Sequence, residues 1–382
     1  MANFLIGVYL SWRCVLPLPV GRWGKLTIIL FVIIFIEHHW VISQLFGTSI
    51  PSPELPRLVL MVLGAIYGAL LLMAMCMVIR DAVGLVLLLT RRKTGRILLT
   101  SSWVTMGLLV ICISTSLWGV WAAVKVPSVR EVSIVVPGLS PQLDGYRIAL
   151  LTDLHTSRLF QEPWIKSVVD KTNSLNPDVI AISGDLVDGT VADRKSDIAP
   201  LASLSAPDGV YAVAGNHEYY ADYERWMDAF RGLGIIILEN QHVVLRKEDG
   251  GFVLAGVPDE VAGSRGQTAP DITKALEGRP DGLPVVLLDH RPGHMRGNQA
   301  QGVDLQLSGH THGGHIRGVD QIVRLFNDGF VSGLYQVNGS TLYVSNGAGL
   351  WPGFAIRIGR PSEITQLTLH AVLPRMATAE ED

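Results

Sequence analysis

Apolar residues are arranged quite differently in the two parts of this chain. Leu58–Ile79 is a run of 22 residues without a charge, long enough to cross a bilayer as a helix, and Ile97–Val124 is another uncharged stretch. Leu26–Phe46 is a third such stretch, interrupted by Glu37, His38 and His39. Phe4–Val20 is also apolar but carries Arg13 and two prolines, so it reads as a fourth span, a re-entrant piece or an interfacial helix. Residues 1–124 are therefore expected to form a membrane domain of three to four transmembrane helices. A linker at 125–145 follows, in which Val132–Val136 starts a sheet. Beyond it the apolar runs become short: Tyr146–Leu151, Val179–Ser183, Val210–Val213, Val285–Leu288 and Leu305–Leu307. Bounded by Gly, Asp and Asn, they read as buried strands covered on both faces. Helical patterns fit Glu162–Asn173, Ser196–Ser205, Tyr220–Gly232 and Asp271–Glu277 between them. Leu342–Val344, Phe354–Ile358 and Ile364–Leu369 alternate like strands of a second sheet. The expected domain at 146–372 is α/β, with two mixed sheets packed face to face and helices outside. Residues 373–382 read as an acidic tail.

Charge adds an orientation. Arg13, Arg22 and Lys25 precede the stretch at 26–46, residues 47–56 have no Lys or Arg, and the next loop holds Arg91, Arg92, Lys93 and Arg96. Positive loops face the cytoplasm, so the loops alternate in, out, in. The domain after Val124 is expected outside the cytoplasm, anchored in a bacterial inner membrane, although Lys125 and Arg130 run against this. Arg80 and Asp81 are expected as an interfacial pair where the second span ends. Glu37, His38 and His39 read better as interface residues than as an intramembrane site. Trp103, Trp118 and Trp121 read as aromatic-belt residues. The formal charge of −3 and a pI near 6.4 lend no support to a nucleic-acid partner. Cys14, Cys76 and Cys112 all lie in the apolar part, leaving the second part without disulfide or thiolate chemistry.

The chemistry lies in five clusters that follow the five short strands: Asp153-Leu-His155, Gly184-Asp185-Leu-Val-Asp188, Gly215-Asn216-His217-Glu218, Asp289-His290 and Gly309-His310-Thr-His312. With Glu218 and Asp289 set aside, they offer three carboxylates, one carboxamide and five imidazoles. Oxygen and imidazole donors of this kind suit Mn, Fe or Zn. Ligands just beyond strand carboxyl ends stand where α/β sheets present active sites. A set large enough for two divalent ions suits phosphoester cleavage, in which cations neutralise the ester oxygens and lower the pKa of a water nucleophile.

At these clusters the chain resembles the calcineurin-like metallophosphoesterases, over roughly residues 140–370. Ser308-Gly-His310-Thr-His312-Gly-Gly and Tyr343-Val-Ser-Asn-Gly-Ala-Gly349 resemble the bacterial membrane-anchored branch in particular. The resemblance implies two divalent transition-metal ions, Mn favoured over Fe and Zn. One would take Asp153, His155 and His312 and the other Asn216, His290 and His310, with Asp185 bridging. It implies that a metal-bridging hydroxide attacks phosphorus, that His217 serves the leaving oxygen, and that Asp188 orients His217. The substrate is expected to be a phosphate mono- or diester, lipid-linked or envelope-related.

Other residues admit plainer readings. Asp289 is either a partner that orients the His290 ring or an ordinary turn residue. His294 and His315 lie near the ligand clusters but outside the family pattern, and His242 and His370 receive no role. Tyr219, Tyr220, Trp351 and Phe354 grip an apolar or sugar-bearing substrate or simply pack. Glu260–Pro270 is expected to overhang the site. A second class of function is a membrane sensor or transporter component with a degenerate metal domain; the complete ligand set and His217 favour the enzyme.

Overall fold

All four residues of the segments at 210–213, 285–288 and 305–308 are buried, as are all five at 179–183. Strands of this kind have no solvent face, and they form the middle of the structure. The computed structural model describes residues 2–46 and 53–372. The expected acidic tail at 373–382 lies outside them, as do residues 47–52 of the loop that lacks Lys and Arg.

In chain order the strands are β1 Ser128–Val135, β2 Tyr146–Leu151, β3 Val179–Ser183, β4 Val210–Val213, β5 Ile236–Ile237, β6 Gln241–Lys247, β7 Gly250–Gly256, β8 Val285–Leu288, β9 Leu305–Ser308, β10 Gly333–Val337, β11 Ser340–Val344 and β12 Glu363–His370. They form two six-stranded mixed sheets, ordered β1-β12-β2-β3-β4-β5 and β10-β11-β9-β8-β7-β6. Within them β2, β3 and β4 run parallel, as do β7, β8 and β9.

The period of two decides what packs where. Ile148, Leu150, Ala181 and Val213 from the first sheet share one core with Phe252, Leu254, Val286, Leu288, Leu305 and Leu307 from the second. The alternate residues Val253, Ala255, Val285 and Leu287 face away from that core and pack on Ala275, Leu276 and Val303.

The chain divides into two compact units, Met1–Lys125 with Trp351–Ile358, and Val126–Leu350 with Gly359–Asp382. In the first unit the helices are α1 Ala2–Leu10, α2 Arg22–Ile36, α3 His38–Phe46, α4 Arg57–Leu89, α5 Lys93–Thr100 and α6 Ser102–Val124. Among the described residues α4 and α6 are each long and apolar enough to cross a membrane, and α2 with α3 is a broken pair bent by 75°. The bend falls at Glu37, where the polar Glu-His-His interrupts the apolar run. Trp103, Trp118 and Trp121 are 88%, 50% and 56% exposed, so they point out of the helix group, as belt residues would. In the second unit the main helices are α7 Glu162–Ser174, the four-residue α8 Val191–Arg194 and α9 Tyr223–Gly232.

Several expectations require correction. The stretch 97–124 is two helices, because the Ser101 side chain accepts the Val104 N–H and starts α6 afresh. The helix expected over 196–205 is only a 3₁₀ turn, Ala199–Ser203, with Pro200 near its start. Phe354–Ile358 is not a strand. It belongs to the helical unit, where Phe354 packs edge-on against Tyr67 and the Arg357 N–H donates to Gly119 O. Ile364–Leu369 is a strand, but of the first sheet, between β1 and β2.

Candidate metal centre

The five clusters follow the carboxyl ends of β2, β3, β4, β8 and β9. Because β2, β3 and β4 are parallel neighbours, and so are β8 and β9, the loops of each sheet emerge on one edge. Short bonds join the two edges. Ser183 Oγ donates to Leu307 O (2.9 Å), His290 Nδ1 lies 2.7 Å from Ser183 O, and the His310 N–H donates to the Asp153 carboxylate (3.1 Å).

The turns that carry the ligands are strained. Asp153, His155, Asp185, His310 and His312 all have φ between 47° and 68°. A non-glycine residue in this region costs about 1–2 kcal/mol, and such strain gathers at functional sites. Two glycines let the carboxylates in. A Cβ on Gly215 would strike Asp185 Oδ1, and one on Gly309 would strike Asp153 Oδ2.

Ligand-type atoms of Asp153, His155 and His312 lie within 4.8 Å of one another, as do those of Asp185, His290 and His310. Asp185 stands between the groups, with Oδ2 3.7 Å from His155 Nε2 and 3.1 Å from His290 Nε2. Asn216 donates from Nδ2 to Tyr220 Oη (2.9 Å), which leaves its buried Oδ1 turned inward without a hydrogen bond. His155 Nε2 is likewise buried without one. Buried polar atoms are nearly always paired, so these two atoms fit a divalent cation, and His155 Nε2 lies 4.0 Å from Asp153 Oδ1 and 3.7 Å from Asp185 Oδ2. His217 joins a third grouping with His155 and Asp185. Its Nδ1, however, is 2.5 Å from Asp188 Oδ1, leaving Nε2 to act. Asp188 serves twice, since its Oδ2 lies 3.1 Å from His155 Nδ1.

The electrostatics of these side chains point the same way. Burial raises Asp153 above the usual carboxylate range, and burial with the neighbouring His290 drives His310 well below the usual histidine range. Burial opposes charge on His217 as well, but Asp185 and Asp188 prevail and lift it to about 9. Burial also opposes charge on Asp185, yet His290 and His217 hold it well below its ordinary value. An anionic Asp185 amid histidines, with the Asp153 carboxyl raised by burial, is a charge arrangement that cations would complete.

Residues 146–314 match the family model for calcineurin-like phosphoesterases. An uncharacterized metallophosphoesterase of Bacillus subtilis is 31% identical over 236 residues, covering 59% of this chain and 79% of the relative. The chain belongs to the calcineurin-like phosphoesterases. An uncharacterized metallophosphoesterase of Helicobacter pylori strain J99 is 38% identical over 253 residues, 66% of each chain. A Bos taurus protein described as a transmembrane protein with metallophosphoesterase domain is 37% identical over 268 residues, 67% of this chain and 60% of the relative. The chain thus spans no more than about two thirds of the length of these last two relatives. Among the described residues, α4 and α6 of this chain are each long and apolar enough to cross a membrane.

One residue of the phosphoesterase domain that sequence reasoning passed over is Glu218. Fully buried, its carboxylate accepts the N–H groups of Asp185 (3.0 Å), Leu186 (2.7 Å), Val187 (3.2 Å) and Gly215 (2.7 Å). It ties the β3 loop to the β4 loop, which carry the candidate ligands Asp185 and Asn216. Burial and Asp185 push its carboxyl up to about 7, against the pull of those donors. The clue in the sequence was its place directly after Asn216-His217.

Asp289 does not orient His290, whose Nδ1 is taken by Ser183 O. Instead it contacts His294 (3.0 Å) and Asn298 (2.9 Å), and with Glu260 it holds His294 up to about 9. His315 packs on His312 with ring centroids 5.1 Å apart. The overhang expected of Glu260–Pro270 is seen at Arg265, whose guanidinium lies 5.4 Å over the Tyr220 ring. Tyr219 is buried against Tyr223, Trp351 packs near His39, and Tyr220 accepts from the candidate ligand Asn216.

Proposed function

We propose that the chain is a membrane-anchored phosphoesterase that hydrolyses a phosphate mono- or diester, lipid-linked or envelope-related, with the catalytic domain outside the cytoplasm. The observation that carries this reading is the convergence of Asp153, His155, His290, His310 and His312 about Asp185, with the His217–Asp188 pair beside them and, on the β4 loop, Asn216 next to His217, whose N–H reaches Asp185. Asp153, His155 and His312 would hold one divalent ion and Asn216, His290 and His310 the other, with Asp185 shared and Mn the favoured metal. Two such ions would supply charge neutralisation of the ester oxygens and an acidified water. The chain's own contribution is geometric and protonic. Asp185 accepts the His217 N–H (2.8 Å), which ties the bridge position to the proton donor. Asp188 holds the Nδ1 side of the His217 ring, so that Nε2 delivers its proton to the departing oxygen.

The test is hydrolysis of bis-p-nitrophenyl phosphate and p-nitrophenyl phosphate by the detergent-purified full chain, stripped of metal and reloaded with Mn, Zn, Fe(II) or Mg. Metal-dependent turnover is expected. Two ions bound without turnover on either ester would favour the sensor reading. His217→Ala is expected to lower kcat by roughly 10²–10⁴-fold, the usual worth of a positioned proton donor. Its metal content should be unchanged, and full activity at equal loading would remove His217 from the mechanism.

Asp188→Asn carries a pH signature. Asp188 raises the His217 pKa, so its loss lowers that pKa and the protonated donor disappears at lower pH. The alkaline limb of kcat should move to lower pH by roughly 1–3 units, the range for loss of one neighbouring charge. Because Asp188 also holds His155, the profile must be recorded at matched metal loading; an unmoved limb counts against the pair.

Orientation is tested with a cysteine at the exposed Ser196. In intact bacterial cells the Ser196→Cys protein is expected to react with a membrane-impermeant maleimide. Reaction only after lysis would place the domain in the cytoplasm.

A further inference from the structure

Two cavities lie on one face of α4 and α6. The first, about 200 Å³, is bordered by Arg13, Cys14, Arg80, Leu99, Thr105 and Met106 among others. The second, about 300 Å³, is bordered by apolar side chains that include Val62, Ile66, Ala69 and Met73 of α4 and Leu109 and Ile113 of α6. The α4 residues recur at helical spacing, and Arg80 returns to their face eighteen residues, or roughly five turns, after Val62. On α6, Thr105, Leu109 and Ile113 recur every four residues along one side.

The polar cavity carries an unbalanced charge. Arg13 donates to Asp81 from Nε (2.6 Å) and Nη2 (2.8 Å). Arg80 donates to Asp81 Oδ1 from Nε (3.0 Å) and Nη2 (2.7 Å), and to Thr105 Oγ1 from Nη1 (2.9 Å). Tyr9 Oη adds a further donor to the same carboxylate (2.9 Å). Two guanidiniums thus share one carboxylate. Each brings five N–H hydrogens, more than these bonds use; both arginines line the cavity, and Arg80 is only 5% exposed. A buried net positive charge is costly unless an anion completes it.

Depth and shape say which anion fits. The uncharged run 58–79 measures about 33 Å at 1.5 Å per residue against a hydrocarbon core of about 30 Å, which puts Arg80 at the level of lipid phosphates. The apolar cavity runs along α4 from Met73 to Val62, about 10 to 27 Å along the axis from Arg80, so its near end lies within the roughly 15 Å of one leaflet and the rest continues toward the other. Arg91, Arg92, Lys93 and Arg96 follow at the same end of α4, where anionic head groups gather.

We infer that these cavities form a binding site for one anionic phospholipid, its phosphate completing the Arg13–Asp81–Arg80 cluster and an acyl chain lying in the α4–α6 cleft. The site stands on the helical unit alone and does not depend on what the metal centre turns over.

The test uses the delipidated full chain in detergent. Phosphatidylglycerol and phosphatidylcholine with identical acyl chains are titrated, and binding is read by native mass spectrometry and melting temperature. Phosphatidylglycerol is expected to bind at least tenfold more tightly, and millimolar inorganic phosphate to change neither readout. Arg13→Gln should bring the two lipids within about threefold of each other, while Arg13→Lys, which keeps the charge but loses the fork, should retain part of the preference. Arg13 is the better position to vary, because the burial of Arg80 makes unfolding a competing outcome of its replacement. Equal binding of both lipids to the wild-type chain would overturn the site as ordinary lipid contact, without reference to any variant. Stabilisation by phosphate alone would replace the lipid with a free anion, and an undiminished preference in Arg13→Gln would remove the arginine cluster from the site.

Discussion

Asp185→Asn is expected to lower turnover by about a thousandfold or more while leaving the fold intact. Asp185 lies within reach of both ligand groups, 3.7 Å from His155 Nε2 and 3.1 Å from His290 Nε2. Losing its charge would weaken the hold on the two ions that this set would bind and so the charge neutralisation they would supply, an effect worth several kcal/mol, or roughly three orders of magnitude in rate. The amide can still accept the His217 N–H through one oxygen, so the melting temperature of the metal-free protein should change little. Metal content by elemental analysis should fall from two ions toward one. Wild-type turnover by Asp185→Asn at matched loading would defeat the proposed mechanism.

Glu218→Ala should act through stability instead. Four buried N–H groups, on Asp185, Leu186, Val187 and Gly215, would lose their acceptor together. An unsatisfied buried donor costs about 1–3 kcal/mol, and water entering the space would offset part of it, so a net loss of about 3–5 kcal/mol is expected. In a domain of this size that lowers the melting temperature by about 10 °C or more. Because the four groups belong to the turns that carry Asp185 and Asn216, metal retention should drop as well. Glu218→Gln keeps the shape and one good acceptor and should recover part of both losses. Unchanged melting and unchanged metal content in Glu218→Ala would show that the loops stand without this tie.

Much of the centre was legible because its ligands follow strands that are apolar throughout. Val179–Ser183 and Val285–Leu288 are buried on both faces, so they appear in the sequence as unbroken apolar runs whose ends are easily seen. Harder to see was anything that depended on which sheet a strand joins. Ile364–Leu369 alternates plainly, but alternation says nothing about neighbours, and β12 lies between β1 and β2 rather than in the second sheet. Phe354–Ile358 carries a similar pattern without being a strand at all, its apolar residues serving the helical unit. Arg13 was equally opaque, since only folding brings it to Asp81, 68 positions later in the chain.

The sequence alone determined the inventory: uncharged runs long enough to cross a membrane, short strands ending in ligand residues, and metal-type donors in family order. These follow from composition and period, which are local properties of the chain. Tertiary structure decided the arrangement. It placed Asp185 between two ligand groups, gave Asp188 both His155 and His217, set Glu218 beneath the loops, and brought Arg13 to the carboxylate of Asp81. Each of these is a distance between residues far apart in sequence, and such distances exist only once two sheets have closed on a common core and the helices have packed.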